Sequence, residues 1–259
     1  MIPREQGMKT SWKSDIGKIR NRNEDSVLVD EGRGIFLLAD GMGGHPGGDV
    51  ASSLAVGSAH GLLAERVAGT GDEDVPHLLA EALATAHSAV ARRGIEEPSL
   101  ADMGTTLDMV YLRGGTAWTC HVGDSRVYLF RRGELLQVTT DDNLASALAQ
   151  QGVPPAEIPF QARHILIQAV GVSDELIPEV RRLELGEGDI LLMCSDGLNG
   201  MVPDDVVAQI IEDCRDDLKR AADRLVEEAI GRGGHDNVSV ILVTPQIEPA
   251  SGKPLLLST

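Results

Sequence analysis

The amino-acid sequence predicts an α+β fold in which helices cover the outer faces of antiparallel β-sheets. Strand-like apolar runs occur in groups along the chain, and helical patterns occur in neighbouring pairs. A doubly wound parallel sheet would instead require strands and helices to alternate. The length of 259 residues suits one large domain or two small ones and is sufficient to bury a core.

Seven segments have the apolar character of strands. They are residues 26–29, 35–40, 105–113, 116–124, 126–132, 189–196 and 237–244. Two turn signals connect neighbouring segments, the Gly pair at 114–115 and the sequence GDSR at 123–126. Because Gly and Asp favour tight turns, both are predicted to close β-hairpins.

Four segments have helical patterns. They form two pairs, residues 48–67 with 77–93 and residues 203–213 with 216–230. Pro203 suits the first turn of a helix, where its missing N–H is not needed. Asp204 and Asp205 follow it, where the helix dipole favours acidic side chains. Gly231 is predicted to end the last helix.

The composition argues against several classes of protein. A formal net charge of −17 disfavours nucleic acid and anionic lipid as partners. The three cysteines, Cys120, Cys194 and Cys214, lack CxxC spacing, which argues against a disulfide framework and a zinc site. The first 15 residues show no apolar signal core, and no apolar stretch approaches the roughly 18 residues that span a bilayer. We therefore expect a soluble cytoplasmic protein without membrane insertion.

Carboxylates recur at the ends of the predicted strands, in five segments far apart in the sequence. They are Glu24 with Asp25, Asp40, Asp124, Asp196 and Asp236. A lone Asp-Gly is usually a turn, but fully apolar runs are interior strands, whose ends we expect to meet at one rim. Several carboxylates at one rim repel one another strongly. They are tolerated only if protonated, spread apart in solvent, or neutralised by cations.

Neutralisation by cations would also explain the five glycines between residues 41 and 48, because bare backbone lets a carbonyl approach an ion. Ligands that are nearly all oxygen select Mg²⁺ or Mn²⁺ over zinc. Two such ions roughly 4 Å apart would turn a bridging water into a nucleophile, and phosphate esters are the usual substrates of that chemistry. The P-loop, HExxH and GxSxG motifs of other chemistries are absent from the sequence.

With these residues collected, the sequence resembles the metal-dependent type 2C serine/threonine protein phosphatases, and most of all the bacterial stand-alone members. Six motifs in the family's order carry the resemblance over about residues 10 to 244. They are SDIGKIRNRNEDS, LLADGMGGHPGGDVAS, MGTTL, HVGDSRVYLF, CSDGL and GGHDNVSVILV. The resemblance implies a four-layer α-β-β-α sandwich, with two antiparallel sheets face to face, helix pairs on both outer faces and metals at one rim. It places the catalytic domain at residues 10–245, with a flap-like segment at 141–163, an N-terminal extension at 1–9 and a tail at 246–259.

The resemblance also implies roles for individual residues. Asp40 would bridge two Mn²⁺ or Mg²⁺ ions, and the carbonyl of Gly41 would bind one of them. The remaining ligands would be Asp196 and Asp236 at the second ion, Glu24 and Asp25 through metal-bound waters, and Asp124 with Asp196 at an optional third ion. Arg20 matches the family's phosphate-binding arginine, and a guanidinium offers planar paired donors and a lasting charge to a phosphoryl group. The predicted catalytic residues are therefore Arg20 and Asp40.

Two departures from the family affect proton donation. Many eukaryotic members have a histidine after the Asp-Gly pair, whereas this chain has Met42, as bacterial relatives do. The proton for the leaving group could come from His45, from a metal-bound water, or from a flap residue such as Asp142, where relatives often carry histidine. Ser195 lies beside Asp196 and is predicted to be structural, because no covalent intermediate is needed.

The predicted function is hydrolysis of phosphoserine and phosphothreonine in proteins by a metal-activated water. The expected partners are phosphorylated proteins, including those of an opposing bacterial Ser/Thr kinase of eukaryotic type, and the expected state is a monomer. Two alternatives stay open: a pseudophosphatase that only binds, and a phosphatase that acts on small phosphate esters.

Overall fold

The computed structural model describes residues 8–42 and 47–245. Two five-stranded antiparallel sheets pack face to face, and helices cover the outer faces. This architecture confirms the predicted fold class. Among the described helices, none combines the length and apolar character that a membrane crossing requires.

The strands are numbered in chain order. They are β1 (Lys9–Asp15), β2 (Asp25–Asp30), β3 (Ile35–Asp40), β4 (Leu107–Arg113), β5 (Thr116–Val122), β6 (Arg126–Arg131), β7 (Glu134–Gln137), β8 (Glu179–Glu184), β9 (Ile190–Cys194) and β10 (Val238–Thr244). The first sheet has the order β1-β10-β9-β6-β7, and the second has the order β2-β3-β4-β5-β8. The α-helices are α1 (Gly48–Arg66), α2 (Val75–Glu96), α3 (Leu144–Gln150), α4 (Asp196–Asn199), α5 (Asp204–Asp213) and α6 (Leu218–Gly231).

Apolar residues fill the space between each pair of layers. In β3, Ile35, Leu37 and Ala39 pack with the α1–α2 pair, while Phe36 and Leu38 face the other sheet. The α5–α6 pair covers the first sheet in the same way. Because side chains alternate between the two faces of a strand, a strand buried on both faces is apolar throughout, which is the pattern that the sequence shows.

The predicted helices and the seven predicted strands are present, with ends shifted by a few residues. The predicted strand at 189–196 ends at Cys194, and Asp196 instead begins the short helix α4. The strands that the sequence did not reveal are β1, β7 and β8, and all three lie at sheet edges. Edge strands carry polar and charged side chains on exposed surfaces, so the apolar signal is weak there.

One predicted hairpin is wrong. The segment at 123–126 does not join neighbouring strands, because β5 belongs to the second sheet and β6 to the first. The chain crosses between the sheets here, and Gly123 makes the crossing with φ of 120°, close against the side chain of Thr106. The other predicted turn is confirmed, since Gly114 and Gly115 both have positive φ and close the β4–β5 hairpin.

Candidate metal centre

The strand directions bring the predicted acids to one rim of the sandwich. Asp25 begins β2 and Asp40 ends β3, and the two residues are opposite one another in the β2–β3 pair. Because β3 and β5 are both antiparallel to β4, they end on the same side, and Asp124 follows the end of β5. Asp196 follows β9 and Asp236 precedes its antiparallel neighbour β10.

The backbone of Asp40 is fixed by the start of the β4 region. Its N–H donates to the hydroxyl of Thr106 at 2.9 Å, and its carbonyl accepts from the N–H of Thr106 at 2.9 Å and the hydroxyl of Thr105 at 2.8 Å. The Thr106 hydroxyl also pairs with Ser125 at 2.9 Å, next to Asp124. The MGTTL motif therefore holds two of the acidic segments together.

Four carboxyl groups at this rim, those of Asp25, Asp40, Asp124 and Asp196, have raised pKa values. Burial is the largest cause in each case, and neighbouring carboxylates add to it. The pKa rises to about 7 for Asp25, to about 8 for Asp124 and to about 6 for Asp196, which shares a hydrogen bond with Asp40. The pKa of Asp40 lies well above its ordinary value, with Asp25, Asp196, Asp124 and Asp236 all contributing. Among the described residues, none of these four carboxyl groups forms an ion pair with a side chain of the protein, whereas Asp236 pairs with Arg20.

The carboxylate of Asp25 also lacks a hydrogen-bond donor at one of its two oxygens. One carboxylate oxygen accepts from the hydroxyl of Ser195 at 2.8 Å, whereas Oδ1 is among the few described buried side-chain atoms with no partner. A buried acceptor without a donor is costly. Ser195 is fully buried, and its oxygen also accepts from the N–H of Ser239 at 2.9 Å, so its contacts are those of a supporting residue.

Arg20 brings a positive charge to the rim. Its guanidinium donates to Asp236 at 2.6 Å, and about one third of each side chain is exposed. The other carboxylate oxygen of Asp236 accepts from the N–H of Asn237 at 2.8 Å. Arg20 therefore contacts a predicted metal ligand while both side chains stay partly exposed.

Asn237 organises the site, although no motif in the sequence predicted a role for it. Its side-chain nitrogen donates to the carbonyls of Ile16 and Arg22, each at 2.9 Å, and its oxygen accepts from the N–H of Glu24 at 2.8 Å. An amide side chain can donate and accept at once, so one buried asparagine fixes the loop that carries Arg20 and Glu24. Its position directly after Asp236, before an apolar strand, was the available signal.

Gly41 lies where backbone segments meet. Its N–H donates to the carbonyl of Glu24 at 3.1 Å, and a Cβ here would overlap the carbonyl of Gly48 and lie 2.7 Å from that of Glu24. Bare backbone is therefore required here for packing, whereas the approach of the Gly41 carbonyl to an ion stays a prediction.

The candidates for proton donation differ in what the structure shows. His45 lies outside the described residues. The Asp142 carboxylate accepts from the N–H of Gly123 at 3.1 Å, so it is tied to the loop before Asp124. Met42 is half-buried and packs against Gly104.

The donor set fits hard divalent cations. Within residues 8–42 and 47–245, no three His, Cys, Asp or Glu side chains are arranged as a ready-made metal site. The rim nevertheless offers oxygen ligands from separate strand ends, an unpartnered Asp25 oxygen and carboxylates that repel one another. These are properties that Mg²⁺ or Mn²⁺ would satisfy and that a soft metal would not.

Comparisons with known proteins agree with this arrangement. The protein phosphatase 2C family model matches residues 20–229. The serine/threonine protein phosphatase PstP of Mycobacterium tuberculosis (strain CDC 1551 / Oshkosh) is 37% identical over 241 residues, which cover 91% of this chain and 44% of that protein. The chain thus spans under half the length of this relative. The serine/threonine phosphatase stp of Listeria monocytogenes serotype 4b (strain F2365) is 33% identical over 241 residues, covering 91% of this chain and 95% of that protein.

A crystal structure of the catalytic domain of PstP in complex with two manganese ions has a TM-score of 0.79 and 35% identity to this chain, covering 91% of it and 97% of the PstP domain. The family model covers the rim residues from Arg20 to Asp196, while Asp236 lies beyond the matched range. The chain belongs to the protein phosphatase 2C family.

Proposed function

We propose that this chain is a metal-dependent protein phosphatase that hydrolyses phosphoserine and phosphothreonine in proteins. The observation that carries the proposal is the rim where buried, mutually repelling aspartates lie beside a partly exposed arginine. The names of the PstP and stp relatives support the reaction class.

Within this proposal, the residues at the rim divide into two groups. Asp40, Asp196 and Asp236 hold two divalent ions, with the carbonyl of Gly41. The others are Glu24 and Asp25, which act through water, and Asp124, which forms a third position with Asp196. The two manganese ions of the PstP complex support Mn²⁺ or Mg²⁺ as the cofactor. When bound, such ions supply an activated water for attack on phosphorus.

Arg20 binds the phosphoryl group of the substrate. In this structure its guanidinium pairs with Asp236. If Asp236 held a cation, the donors of Arg20 would be available to contact phosphoryl oxygens and stabilise their charge in the transition state.

We also propose the wider organisation of the enzyme. Residues 10–245 form the catalytic domain, and residues 141–163 form a flap beside the rim. Residues 1–9 and 246–259 flank the domain and lie largely outside the described residues. All three cysteines are free and buried, which suits a reducing cytoplasm. The partners are phosphorylated proteins of a Ser/Thr kinase pathway, and the enzyme acts as a monomer.

The test is turnover of p-nitrophenyl phosphate and of a phosphoserine peptide with Mn²⁺, with Mg²⁺ and in excess EDTA. We expect activity only with added metal, while the circular dichroism spectrum stays the same in EDTA. Asp174→Asn, at an exposed acid, serves as the control and should behave as wild type. Full turnover in EDTA would contradict the metal-dependent reading.

The same assay separates the two alternatives. Peptide binding without turnover would indicate a pseudophosphatase. A kcat/KM on sugar phosphates that equals or exceeds that on phosphopeptides would indicate an enzyme for small phosphate esters.

A further inference from the structure

A buried His–Asp pair lies beneath the start of the 141–163 segment. His121 of β5 and Asp108 of β4 are opposite one another in register, and Nδ1 of the ring is 2.7 Å from a carboxylate oxygen of Asp108. Both side chains are 0% exposed. The proposed phosphatase reaction gives this pair no role.

The second ring nitrogen of His121 reaches the chain that leads into the 141–163 segment. Nε2 lies 3.1 Å from the carbonyl oxygen of Thr140. A carbonyl only accepts hydrogen bonds, so Nε2 carries a proton. Burial alone would lower the pKa of His121, but the Asp108 carboxylate outweighs it and raises the pKa to about 9. The ring is thus a cation that joins a central strand to Thr140.

Residues 140–142, called the flap root here, are held by further contacts. The N–H and hydroxyl of Thr140 donate to Glu179 of β8 at 2.8 and 3.2 Å. The N–H of Asp142 donates to the carbonyl of Gly123 at 2.6 Å, and the carboxylate of Asp142 accepts from the N–H of Gly123 at 3.1 Å. Each bond joins the flap root to the end of a strand.

This anchoring reaches the candidate metal centre. Gly123 directly precedes Asp124, the predicted ligand of the third position, and His121 lies two residues before Gly123 on the same strand end. The flap root and the Asp124 loop therefore share one support. A shift of about 1 Å in such a support can change the alignment of a substrate enough to alter rates by up to about a hundredfold.

Stability alone is a weak reason for this arrangement. A buried ion pair is often matched or exceeded in stability by apolar side chains of similar volume, because both charges lose their hydration. What apolar side chains cannot supply is a directed donor to the Thr140 carbonyl.

We propose that His121, oriented by Asp108, is a positioning residue of the phosphatase reaction: it fixes the flap root against the Asp124 loop, so that the flap meets a phosphoprotein in the productive place. This rests on the proposed function and concerns the substrate's protein part. Loss of the Thr140 contact should therefore weaken the use of phosphopeptides far more than that of p-nitrophenyl phosphate, which is too small to span the flap.

The test compares two neutral double variants of the full chain. Asp108→Asn with His121→Gln, called the Asn/Gln variant, keeps an amide nitrogen near the Nε2 position, within reach of Thr140. Asp108→Asn with His121→Asn, called the Asn/Asn variant, keeps an amide nitrogen near the Nδ1 position only, where it cannot reach Thr140. We expect the Asn/Asn variant to show a KM for phosphoserine peptide raised about tenfold, with kcat/KM for p-nitrophenyl phosphate within about twofold of wild type. The Asn/Gln variant should stay near wild type on both substrates.

Hydrogen exchange gives a second readout that does not depend on activity. In metal-free protein, amides of residues 141–163 should exchange faster in the Asn/Asn variant and not in the Asn/Gln variant. Equal exchange and equal peptide KM in the two variants would overturn the proposal. If wild type fails to hydrolyse p-nitrophenyl phosphate with Mn²⁺, the proposed function fails first; if it succeeds and the variants do not differ, only the positioning role fails.

Discussion

The acidic rim and the flap root both place carboxylates in buried surroundings near strand ends, yet they are treated in opposite ways. At and beneath the flap root, two carboxylates have a cation from the chain itself: Asp108 pairs with His121 at 2.7 Å through one oxygen, while its other oxygen has no partner, and Asp141 pairs with Arg126 through two bonds of 2.8 Å. At the rim, Asp40 is surrounded by other aspartates, and its pKa rises well above the ordinary value.

The difference indicates where each region obtains its positive charge. A carboxylate that the chain neutralises has its position fixed when the chain folds. A group of carboxylates that the chain leaves unneutralised carries a cost from repulsion and burial, which bound cations would relieve. Carboxylates that pair with a cation of the chain thus hold the flap root, and carboxylates without such a pair form most of the candidate metal centre.

The comparison is tested most strongly by Asp40→Asn. We expect turnover to fall by at least about a thousandfold, because several kcal/mol of metal-dependent stabilisation are lost. The melting temperature of the metal-free variant should equal or exceed that of wild type, since the substitution relieves like-charge repulsion. Thermal unfolding in EDTA beside a p-nitrophenyl phosphate assay provides the check. A large drop in melting temperature would mean that Asp40 is structural.

The difference between paired and unpaired carboxylates could be predicted from the sequence only in part. The acids of the rim stand directly at the ends of apolar runs, so a local pattern predicted that Asp40, Asp196 and Asp236 lie at one rim. The partners of the flap root come from separate segments: His121 contacts Thr140 and Asp108, and neither pairing leaves a mark in the spacing. Such contacts follow from strand register, which the sequence alone did not specify.

The fold shows the same limit. Interior strands such as β3 were predictable because burial on both faces makes them apolar throughout, whereas the edge strands β1, β7 and β8 were missed. The segment at 123–126 has the residues of a tight turn in either role, so composition could not distinguish a hairpin from a crossing between sheets. Asn237 was missed because its three hydrogen bonds reach segments more than 200 residues away.

At the flap-root pair, the same kind of substitution should lower the melting temperature instead of keeping or raising it. Asp108→Asn alone removes the counterion of the buried His121, so that burial lowers the pKa of the ring and disfavours its charged form. Breaking a buried pair costs about 3 kcal/mol or more. We therefore expect a melting temperature lower by several degrees. Differential scanning calorimetry of this variant beside Asp40→Asn in EDTA makes the comparison direct. A stability of Asp108→Asn equal to wild type would remove the distinction between the two regions.

Arg20→Ala should have an intermediate effect confined to the substrate. We expect KM for a phosphoserine peptide to rise by about tenfold or more, and kcat to fall as well if the contact strengthens in the transition state. Manganese affinity, measured by calorimetry, should stay near wild type, because the proposed contact is with phosphate. Arg92→Ala, at an exposed arginine of α2, is the matched control. Kinetics unchanged in both parameters would remove Arg20 from the site.

The flap-root pair should also give stability a pH dependence of known sign. His121 has a folded pKa of about 9 against 6.5 when unfolded, so the folded state binds the extra proton between these values. Its contribution is complete below about pH 6.5 and is lost as the pH rises through about 9. The charged groups near the ring are Asp108, Asp142, Glu179 and Asp124, all carboxylates.

The measurement is the difference in melting temperature between wild type and the Asp108→Asn, His121→Gln variant at pH 6 and pH 9.5, in EDTA. The rim is the same in both proteins, so the difference isolates the pair. Wild type should lose more stability than the variant on going to pH 9.5. Parallel pH profiles would show that His121 is not charged in the folded protein.

The smallest expected effect concerns His45, which lies outside the described residues. A serine alkoxide is a poor leaving group and normally needs a proton from a general acid, whereas an aryl oxide leaves without one. Met42 cannot supply that proton. His45 stands three residues further along a glycine-rich loop, where it could turn toward the rim or simply anchor the loop through the backbone. We expect water at the rim, which needs no particular side chain, to be the proton source. His45→Ala should then lower kcat by a similar, modest factor for a phosphoserine peptide and for p-nitrophenyl phosphate. A fall of about a hundredfold or more for the phosphoserine peptide alone would identify His45 as the general acid, and the rim would then depend on a side chain of this loop as well as on its unmatched carboxylates.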